Sequence, residues 1–237
     1  MDSFSYISHF STLVGGAGLA VFLQKGMEHV WGTKTYFGLR CDLVALSPVR
    51  PAKFHIVMRP CKDTCFGALE EEFQNVGKSD SIDVFQRILM CQAGVQTPYC
   101  CLGEDRSTAY VQWLITASDQ HLLHSFQPRR YPRLNRDEVL VEGAYTFRRF
   151  RGAGVMTTSM GQLLWIAKNN GAKAAYTYVA TDNIPSLRGC AKLGFRLDHV
   201  RMSTHRFGFF RTRVSPADER ASTVWESAVA YGPRTTG

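Results

Sequence analysis

The hydrophobic pattern is clearest between Glu138 and Gly171. A run rich in Val and Leu precedes a short basic segment with two glycines, which predicts a buried strand leading into a tight turn. The apolar residues after the turn recur at helical spacing: Met156, Met160, Leu163, Leu164 and Ala167. Lys168 in the last turn and Gly171 after it are typical of a helix end. The pattern therefore predicts a strand, a glycine turn and a helix in direct succession.

The predicted turn combines glycines with arginines at the start of a helix. Gly152 and Gly154 would let a ligand approach the backbone, where the first N–H groups of the helix point outward. Arg148, Arg149 and Arg151 add positive charge, which suits a pyrophosphate. A lone Gly-x-Gly in a crossover more often serves packing, and the arginines favour an anion site. The third glycine of a Rossmann fingerprint and the Gly-Lys-Ser/Thr of a P-loop are both absent.

Upstream of this stretch, the pattern predicts an N-terminal helix followed by strands and further helices. Helical spacing of apolar residues predicts three helices, at Phe10–Glu28, Cys65–Asn75 and Ser81–Cys91. Alternating or β-branched runs predict four strands, at Thr35–Leu46, Phe54–Arg59, Thr97–Leu102 and Ala109–Thr116. Gln120–Asn135 carries prolines, arginines and histidines without clean periodicity. It is expected to be a long ordered loop that contacts a substrate or is simply solvated.

Downstream, the pattern predicts one more crossover and a closing pair of strands. Ala172–Thr181 is expected to run parallel to the strand at Glu138 because a helix connects them. Pro185 and Gly194 bracket a short helix. Two closing strands follow, at Phe195–Val200 and Phe207–Val214. The remaining residues are polar apart from a patch at Val224, Trp225 and Val229, and residues 233–237 are expected to be disordered.

Two motifs resemble those of the GNAT superfamily of acyl-CoA N-acyltransferases. Arg149 to Gly154 matches the R/Q-x-x-G-x-G/A signature, and Asn183 to Ser186 followed by Lys192 to Phe195 resembles the second motif. With the strand between them they cover residues 137–196 at the separation typical of the family. The resemblance implies an α/β fold with a mixed, mostly antiparallel central sheet, flanking helices and a central parallel strand pair.

The same resemblance divides the chain into three parts. Residues 1–50 would be an N-terminal extension of helix and strand, ending at the closely spaced prolines Pro48 and Pro51. Residues 51–214 would be the GNAT-like acyltransferase domain, and residues 215–237 a partly disordered C-terminal tail. The extension is expected to shape a substrate pocket, to form a homodimer contact, or to serve packing only.

The resemblance implies that the co-substrate is acetyl-CoA or another acyl-CoA, without a metal. Backbone amides of the central strand would face the developing oxyanion at Gly143, Ala144 and Tyr145. The pyrophosphate would contact Arg149, Arg151, Gly152, Ala153, Gly154 and Val155. The pantetheine arm would contact Asn183 and Ser186, with a helix-cap role as the alternative for Asn183.

Acyl transfer to an amine needs a base, and the resemblance offers Glu138. It stands eleven residues before Arg149, where histone-acetylating members of the family place their glutamate. Glu142 is the rival, because residues four apart in a strand share one face. Either carboxylate would need a buried setting or a water relay to take a proton from an amine.

The general acid departs from the family pattern. Many members place a tyrosine seven residues after the motif asparagine, and here that position is Cys190. A thiol is well matched to protonate a CoA thiolate, since their pKa values are similar. The alternative is that Cys190 is an ordinary packed helix residue. Tyr176, Tyr178 and Tyr231 are further candidates for the acid.

Charge and cysteine content bear on partners and compartment. The net charge of +8 suits nucleotides, nucleic acid or anionic membranes alike. Seven cysteines, two of them adjacent, make an unlikely disulfide framework and favour reduced thiols in the cytoplasm. Cys61 and Cys65 have the spacing of a metal pair, but no second Cys/His pair stands nearby in sequence, so no metal is expected. Leu13–Leu23 resembles a signal-peptide core but lacks a basic segment before it.

These observations lead to one prediction and two alternatives. The prediction is an N-acyltransferase that moves an acetyl or other acyl group from acyl-CoA to a primary amine. Transfer of a long acyl chain to amino acids or lipid signals is the first alternative, and a non-catalytic CoA sensor or nucleic-acid-binding module is the second. Nucleic acid is not expected as a partner, since aromatic and basic residues do not alternate. Peripheral membrane contact stays open because an apolar, Gly-rich segment precedes Lys25.

Overall fold

The computed structural model describes residues 31–48, 51–61, 63–95, 97–126, 131, 133–206 and 209–230. Its helices are α1 (Asp63–Asn75), α2 (Lys78–Gln92), α3 (Gln120–Phe126), α4 (Val155–Asn169), α5 (Ile184–Lys192) and α6 (Glu219–Ala230). Its strands are β1 (Trp31–Asp42), β2 (Arg59–Pro60), β3 (Tyr99–Leu102), β4 (Thr108–Thr116), β5 (Glu138–Thr146), β6 (Ala174–Ala180), β7 (Arg196–Arg206) and β8 (Phe209–Pro216).

The strands form one mixed sheet in the order β2-β3-β4-β5-β6-β1-β7-β8. β3 with β4, β4 with β5, and β6 with β1 pair antiparallel, while β5 and β6 pair parallel. A parallel pair needs a crossover, and α4 supplies it. The predicted fold class, a mostly antiparallel sheet with one parallel pair and flanking helices, is confirmed.

Alternation along β5 explains why both sheet faces carry helices. Val139 and Val141 belong to a core that includes Leu164 of α4 and Leu187 of α5. Leu140 belongs to a second core, on the opposite face, that includes residues of α1 and α2. Since β5 is buried on both faces, it reads in sequence as a nearly continuous apolar run.

The N-terminal strand is part of the sheet interior. β1 pairs with β6 from Tyr36↔Ala180 to Asp42↔Ala174. The side chains of Phe37, Leu39 and Cys41 alternate inward and are at most 2% exposed. The strand predicted at Thr35–Leu46 is therefore present, and the sheet begins well before the predicted domain boundary at residue 50.

The described chain falls into two compact units. Residues 36–201 and 214–230 form the larger one, which contains every candidate site residue that the structure describes. Residues 31–35, 202–206 and 209–213 belong to the smaller one, in which the hydroxyl oxygens of Thr33 and Thr204 lie 3.4 Å apart.

Two upstream segments differ from their sequence predictions. The strand predicted at Phe54–Arg59 is reduced to Arg59–Pro60. Its backbone bonds to a side chain instead, because Met58 N–H donates to Gln162 Oε1 at 2.8 Å and Gln162 Nε2 donates to Ile56 O at 2.6 Å. The segment Gln120–Asn135, which is predicted as a loop, begins instead with helix α3. Leu123 of this helix is buried in the core, and Gln120 Oε1 accepts a hydrogen bond from Leu134 N–H at 2.8 Å.

The apolar patch of the predicted tail lies in helix α6. Trp225 packs edge-on against Phe37 with ring centroids 6.2 Å apart, and Ala228 is buried. Arg188 Nε donates to Ala228 O at 2.9 Å, which ties α6 to α5. The predicted helix at Phe10–Glu28, residues 233–237 and Tyr231 lie outside the described residues. Among the helices that are described, none combines the length and the hydropathy needed to cross a membrane.

Candidate active site

The glycine turn forms where the sequence predicts it, between β5 and α4. Gly152 and Gly154 have φ angles of +78° and +79°, in the left-handed region that costs other residues about 1–2 kcal/mol. Gly154 is the helix N-cap, and Thr158 N–H donates to its carbonyl at 3.1 Å. The N–H groups of Val155 and its two successors precede the first intrahelical bond. The turn therefore presents backbone donors of the kind that bind an anion.

The motif arginines are paired with carboxylates at the surface. Arg149 Nη2 lies 2.9 Å from Asp105 Oδ2, and Arg151 Nη1 lies 2.9 Å from Asp80 Oδ2. Arg151 Nε also donates to Thr146 O at 3.2 Å. Both arginine side chains are about half-exposed, and exposed pairs of this kind are worth about 0–1 kcal/mol. An entering anion can therefore compete for Arg149 at little cost, whereas Arg151 is held more firmly, because Asp80 is only 22% exposed and Thr146 O accepts a second hydrogen bond from Arg151.

A β-bulge interrupts β5 at Gly143. Val111 and Trp113 of β4 face Tyr145 and Glu142, so two steps along β4 correspond to three along β5. Gly143 has a φ of +68°, and a Cβ added there would lie 2.8 Å from Trp113 Cε3. The bulge therefore requires glycine for both conformation and space.

Arg87 holds the carbonyl groups of the bulge. Its Nε donates to Gly143 O at 3.3 Å, and its Nη2 donates to Ala144 O at 3.1 Å. Arg87 thus holds both carbonyl groups toward α2. The amides of Gly143, Ala144 and Tyr145, which are predicted to face an oxyanion, belong to the same distorted segment of β5. Burial and a hydrogen bond to Glu72 raise the pKa of the Tyr145 phenol above its ordinary range.

The parallel strands separate next to this bulge. The β5–β6 register covers only Glu138–Leu140 opposite Ala174–Tyr176, although both strands are described to their ends. β5 continues to Thr146 and β6 to Ala180. β5 and β6 are therefore no longer paired with each other beyond Leu140 and Tyr176, so the strands separate just before the bulge.

The two candidate bases share a strand face but have different surroundings. Glu138 Oε2 accepts from Asn135 N–H at 2.9 Å, and its Oε1 accepts from the Tyr176 hydroxyl at 3.1 Å. Arg40 Nε donates to the same hydroxyl at 3.3 Å. Glu142 lies beside Gly143, and its buried Oε2 has no hydrogen-bond partner among the described residues. Both carboxylate oxygens of Glu138 therefore accept hydrogen bonds, whereas Oε2 of Glu142 accepts none from the described residues.

A cleft of about 610 Å³ opens beside Glu138. Its lining includes Tyr131, Arg133, Tyr176, Tyr178, Asp198 and His199. His199 Nδ1 lies 2.8 Å from Asp198 Oδ2, and His199 Nε2 lies 3.1 Å from the Tyr178 hydroxyl. With the Nδ1 proton directed to the carboxylate, Nε2 accepts from the phenol. The cleft therefore contains a hydrogen-bonded Asp–His–Tyr chain.

A buried cation lies next to this chain. The Arg201 side chain is 1% exposed, and its Cζ lies 4.1 Å from the Tyr178 ring centroid, 4.5 Å from that of Tyr36 and 5.4 Å from that of Tyr131. Burial raises the pKa of Tyr178 above its ordinary range, and the guanidinium opposes that shift. Tyr178 is therefore a neutral phenol at physiological pH.

Sequence reasoning missed Asp198, His199 and Arg201. They stand in β7, and their partners stand in β6, β1 and the segment before β5. No spacing motif links residues so far apart along the chain. The one usable signal was Tyr178, which the sequence offered as an alternative general acid.

The candidate acid Cys190 and the candidate ligand Asn183 occupy structural positions. Cys190 is completely buried in the core, and burial raises the pKa of its thiol to about 12. A thiol enclosed by the core has no access to a CoA sulfur, which favours the packed-residue interpretation. Asn183 Oδ1 accepts from Ser186 N–H at 3.2 Å, so it caps α5, as its alternative role predicted. The catalytic and cofactor roles of these residues stay predictions.

Solved structures match this chain at low sequence identity. No protein-family model and no curated protein matches the chain. The GCN5-related glucosamine N-acetyltransferase region of a fungal multi-domain β-N-acetylglucosaminidase matches 77% of this chain at 14% identity and a TM-score of 0.52, and this chain spans 22% of that protein. A functionally unknown conserved protein from Staphylococcus epidermidis matches 80% of this chain and 68% of its own length, at 8% identity and a TM-score of 0.50. A GCN5-related N-acetyltransferase from Sphaerobacter thermophilus matches 81% of this chain and 59% of its own length, at 12% identity and a TM-score of 0.48.

Proposed function

The chain has the fold of the GNAT superfamily, and we propose on that basis that it transfers an acyl group from acyl-CoA to a primary amine. Acetyl-CoA is the simplest donor. The observation that carries the proposal is the sequence of features along β5. The strand leaves β6 after Leu140, bulges at Gly143 and ends in a glycine turn at a helix N-terminus.

Each feature matches one part of an acyl-CoA. Amides freed by the bulge near Gly143 would donate to the thioester carbonyl as its oxygen becomes negative. The pantetheine arm would lie in the gap between β5 and β6. The pyrophosphate would bind the N–H groups from Gly152 to Val155, with Arg149 and Arg151 leaving their surface carboxylates to neutralise it.

Glu142 is the proposed general base. It neighbours the bulge where the reacting carbonyl would lie, and its buried Oε2 has no hydrogen-bond partner in the described part of the chain. Glu138 has both oxygens engaged and lines the cleft. We therefore assign Glu138 to acceptor binding, where its carboxylate and that of Asp198 suit a cationic amine.

Tyr178 is the proposed general acid. It is a neutral phenol that is hydrogen-bonded to His199, and His199 is in turn hydrogen-bonded to Asp198. Tyr178 would give its phenolic proton to the departing thiolate, and the phenolate would then take a proton from solvent in the cleft. This assignment replaces Cys190, whose buried thiol lies in the core.

The test compares two isosteric variants, Glu142→Gln and Glu138→Gln, in an assay that follows loss of the acetyl-CoA thioester with a panel of primary amines. Glu142→Gln is expected to lower kcat by about 10²–10⁴-fold, because it removes a general base, with little change in the KM for acetyl-CoA. Glu138→Gln is expected to raise mainly the KM for the amine.

Glu104→Gln is the matched control, since Glu104 lies exposed in the turn between β3 and β4. Wild-type turnover by Glu142→Gln would contradict its assignment as the base. Binding of acetyl-CoA without turnover of any amine in the panel would favour a CoA sensor instead. Faster turnover of palmitoyl-CoA than acetyl-CoA would identify a long-chain transferase.

A further inference from the structure

Three cysteines from separate segments meet on the edge of the larger unit. Cys61 follows β2, Cys65 lies in the first turn of α1, and Cys100 lies in β3. Their Sγ atoms all lie within 4.8 Å of one another. We call these residues the thiol cluster. The sequence shows the spacing of Cys61 and Cys65, and folding adds the third sulfur.

Backbone hydrogen bonds, rather than bonds between sulfur atoms, set the positions of the three cysteines. β2 pairs with β3 in a register that places Arg59 opposite Cys100, and Cys61 N–H donates to Pro98 O at 2.8 Å. The Cα atom of Cys61 lies 6.0 Å from the Cα atoms of both Cys65 and Cys100. The three side chains therefore converge because of strand pairing and the entry into α1.

A disulfide cannot account for all three sulfurs. Cys61 Sγ contacts the Sγ atoms of both Cys65 and Cys100, and a sulfur atom forms only one disulfide bond. Either pairing would leave a third thiol buried against it, since Cys65 and Cys100 are at most 1% exposed. A metal ion bound by three thiolates engages all of them at once.

The donor set indicates which metals fit. Thiolates select thiophilic ions such as Zn(II) and Cu(I), whereas Mg²⁺ and Ca²⁺ require oxygen ligands. Cys61 is half-buried, so a fourth coordination position would face solvent and accept water or a small thiol. Among the described residues, no other group of three or more His, Cys, Asp or Glu side chains converges in this way.

We propose that Cys61, Cys65 and Cys100 form a three-thiolate site for a closed-shell, thiophilic metal ion of the Zn(II) or Cu(I) type. The ion replaces the thiol protons, so binding releases up to three protons to solvent. The bound ion would connect β2, β3 and the first turn of α1. β2 itself is only two residues long. This site does not depend on the proposed acyl transfer.

The first experiment titrates the reduced, metal-free full chain with Co(II) under anaerobic conditions. One equivalent is expected to produce thiolate-to-cobalt charge-transfer absorption in the near ultraviolet, and Zn(II) is expected to abolish it by displacement. A parallel titration with Cu(I) against a chromophoric chelator distinguishes the two metals. The absence of the absorption band together with no uptake of Cu(I) would overturn the proposal.

Two variants assign the site. Cys61→Ser is expected to weaken metal affinity by at least about 100-fold, because even the loss of an outer partner of a ligand typically costs 10–100-fold. Cys61 is half-buried, so this change leaves the core intact. Cys91→Ser is the matched control, a half-buried cysteine of α2 outside the thiol cluster, and is expected to bind like the wild type.

A readout that does not depend on the spectrum is protection from alkylation. Bound Zn(II) is expected to protect Cys61 from iodoacetamide, as read by mass spectrometry, and to raise the Tm of the wild type but not of Cys61→Ser. Equal alkylation with and without Zn(II) would contradict the proposal. So would a Cys61 disulfide that re-forms in air in the presence of saturating Zn(II).

Discussion

The two ends of β5 are built in different ways. Its carboxyl end is one continuous segment, in which the bulge at Gly143, the glycine turn and the start of α4 follow one another along the chain. Its amino end is assembled from distant segments, because Glu138 meets Tyr176 of β6, and the cleft beside it adds His199 of β7. One end depends on backbone conformation and the other on packing between strands.

This difference predicts how each end fails. At the carboxyl end, Gly143, Gly152 and Gly154 have positive φ angles, so a single added methyl group perturbs the backbone itself. At the amino end, side chains are positioned by neighbours far away in sequence. A substitution in β1, outside any motif, should therefore disturb the acceptor cleft while leaving the glycine turn intact.

The largest effect is expected for Gly143→Ala at the bulge. The left-handed φ costs about 1–2 kcal/mol and the overlap with Trp113 about 1–3 kcal/mol, so the free energy of unfolding should fall by about 2–5 kcal/mol. Urea denaturation measures it. Gly94→Ala is the control, since Gly94 has a φ of +67° and nothing lies within 4 Å of an added Cβ. Equal losses in both variants would show that Trp113 does not constrain the bulge.

The next effect is expected for Gly38→Ala in β1. A Cβ at Gly38 would overlap the His199 imidazole, which has no room to stay beside Tyr178. Misplacing the imidazole should lower kcat/KM for the amine by about 10²-fold, with acetyl-CoA affinity unchanged. His199→Ala removes the ring that the added Cβ would overlap, so the double variant Gly38→Ala with His199→Ala should be no worse than His199→Ala alone. Additive losses would mean that Gly38 acts by another route.

The smallest effect concerns Cys190 and alkaline pH. Burial raises the pKa of its thiol to about 12, above an unfolded value of about 8.5. The native state thus keeps a proton that the unfolded chain loses, so this stabilisation is complete below pH of about 8.5 and is lost as pH rises toward the folded pKa. Cys190→Ala should show a shallower alkaline loss of stability than the wild type and retain its kcat. Parallel stability curves would contradict this, and a loss of kcat would restore Cys190 as the acid.

The carboxyl end of β5 was predictable from sequence because its determinants are local. The apolar run, the glycines required by positive φ and the 3.6-residue periodicity of α4 all lie within Glu138–Gly171. The bulge was not predicted as such, although the amides from Gly143 to Tyr145 were singled out through the family resemblance. Two motifs in order were enough to anticipate the mixed sheet.

The amino end was not predictable, because strand alternation does not reveal which strand pairs with which. β1 reads as an ordinary strand, and nothing in its pattern places it between β6 and β7. The short β2 depends on Gln162, more than a hundred residues away, which bonds to the backbone of Ile56 and Met58. His199 and Cys100 gain their partners only through these non-local pairings.

The central claim is that the turn at the carboxyl end of β5 binds the pyrophosphate of acyl-CoA. Calorimetric titration of acetyl-CoA into the wild type, Gly152→Val/Gly154→Val and Gly171→Val tests it most directly. Gly171 is the control because it also has a positive φ, +92°, with nothing within 4 Å of an added Cβ, but lies at the opposite end of α4. The double variant should bind at least about 100-fold more weakly, or about 2.8 kcal/mol, while Gly171→Val binds like the wild type. Undiminished affinity in a folded double variant would contradict the account.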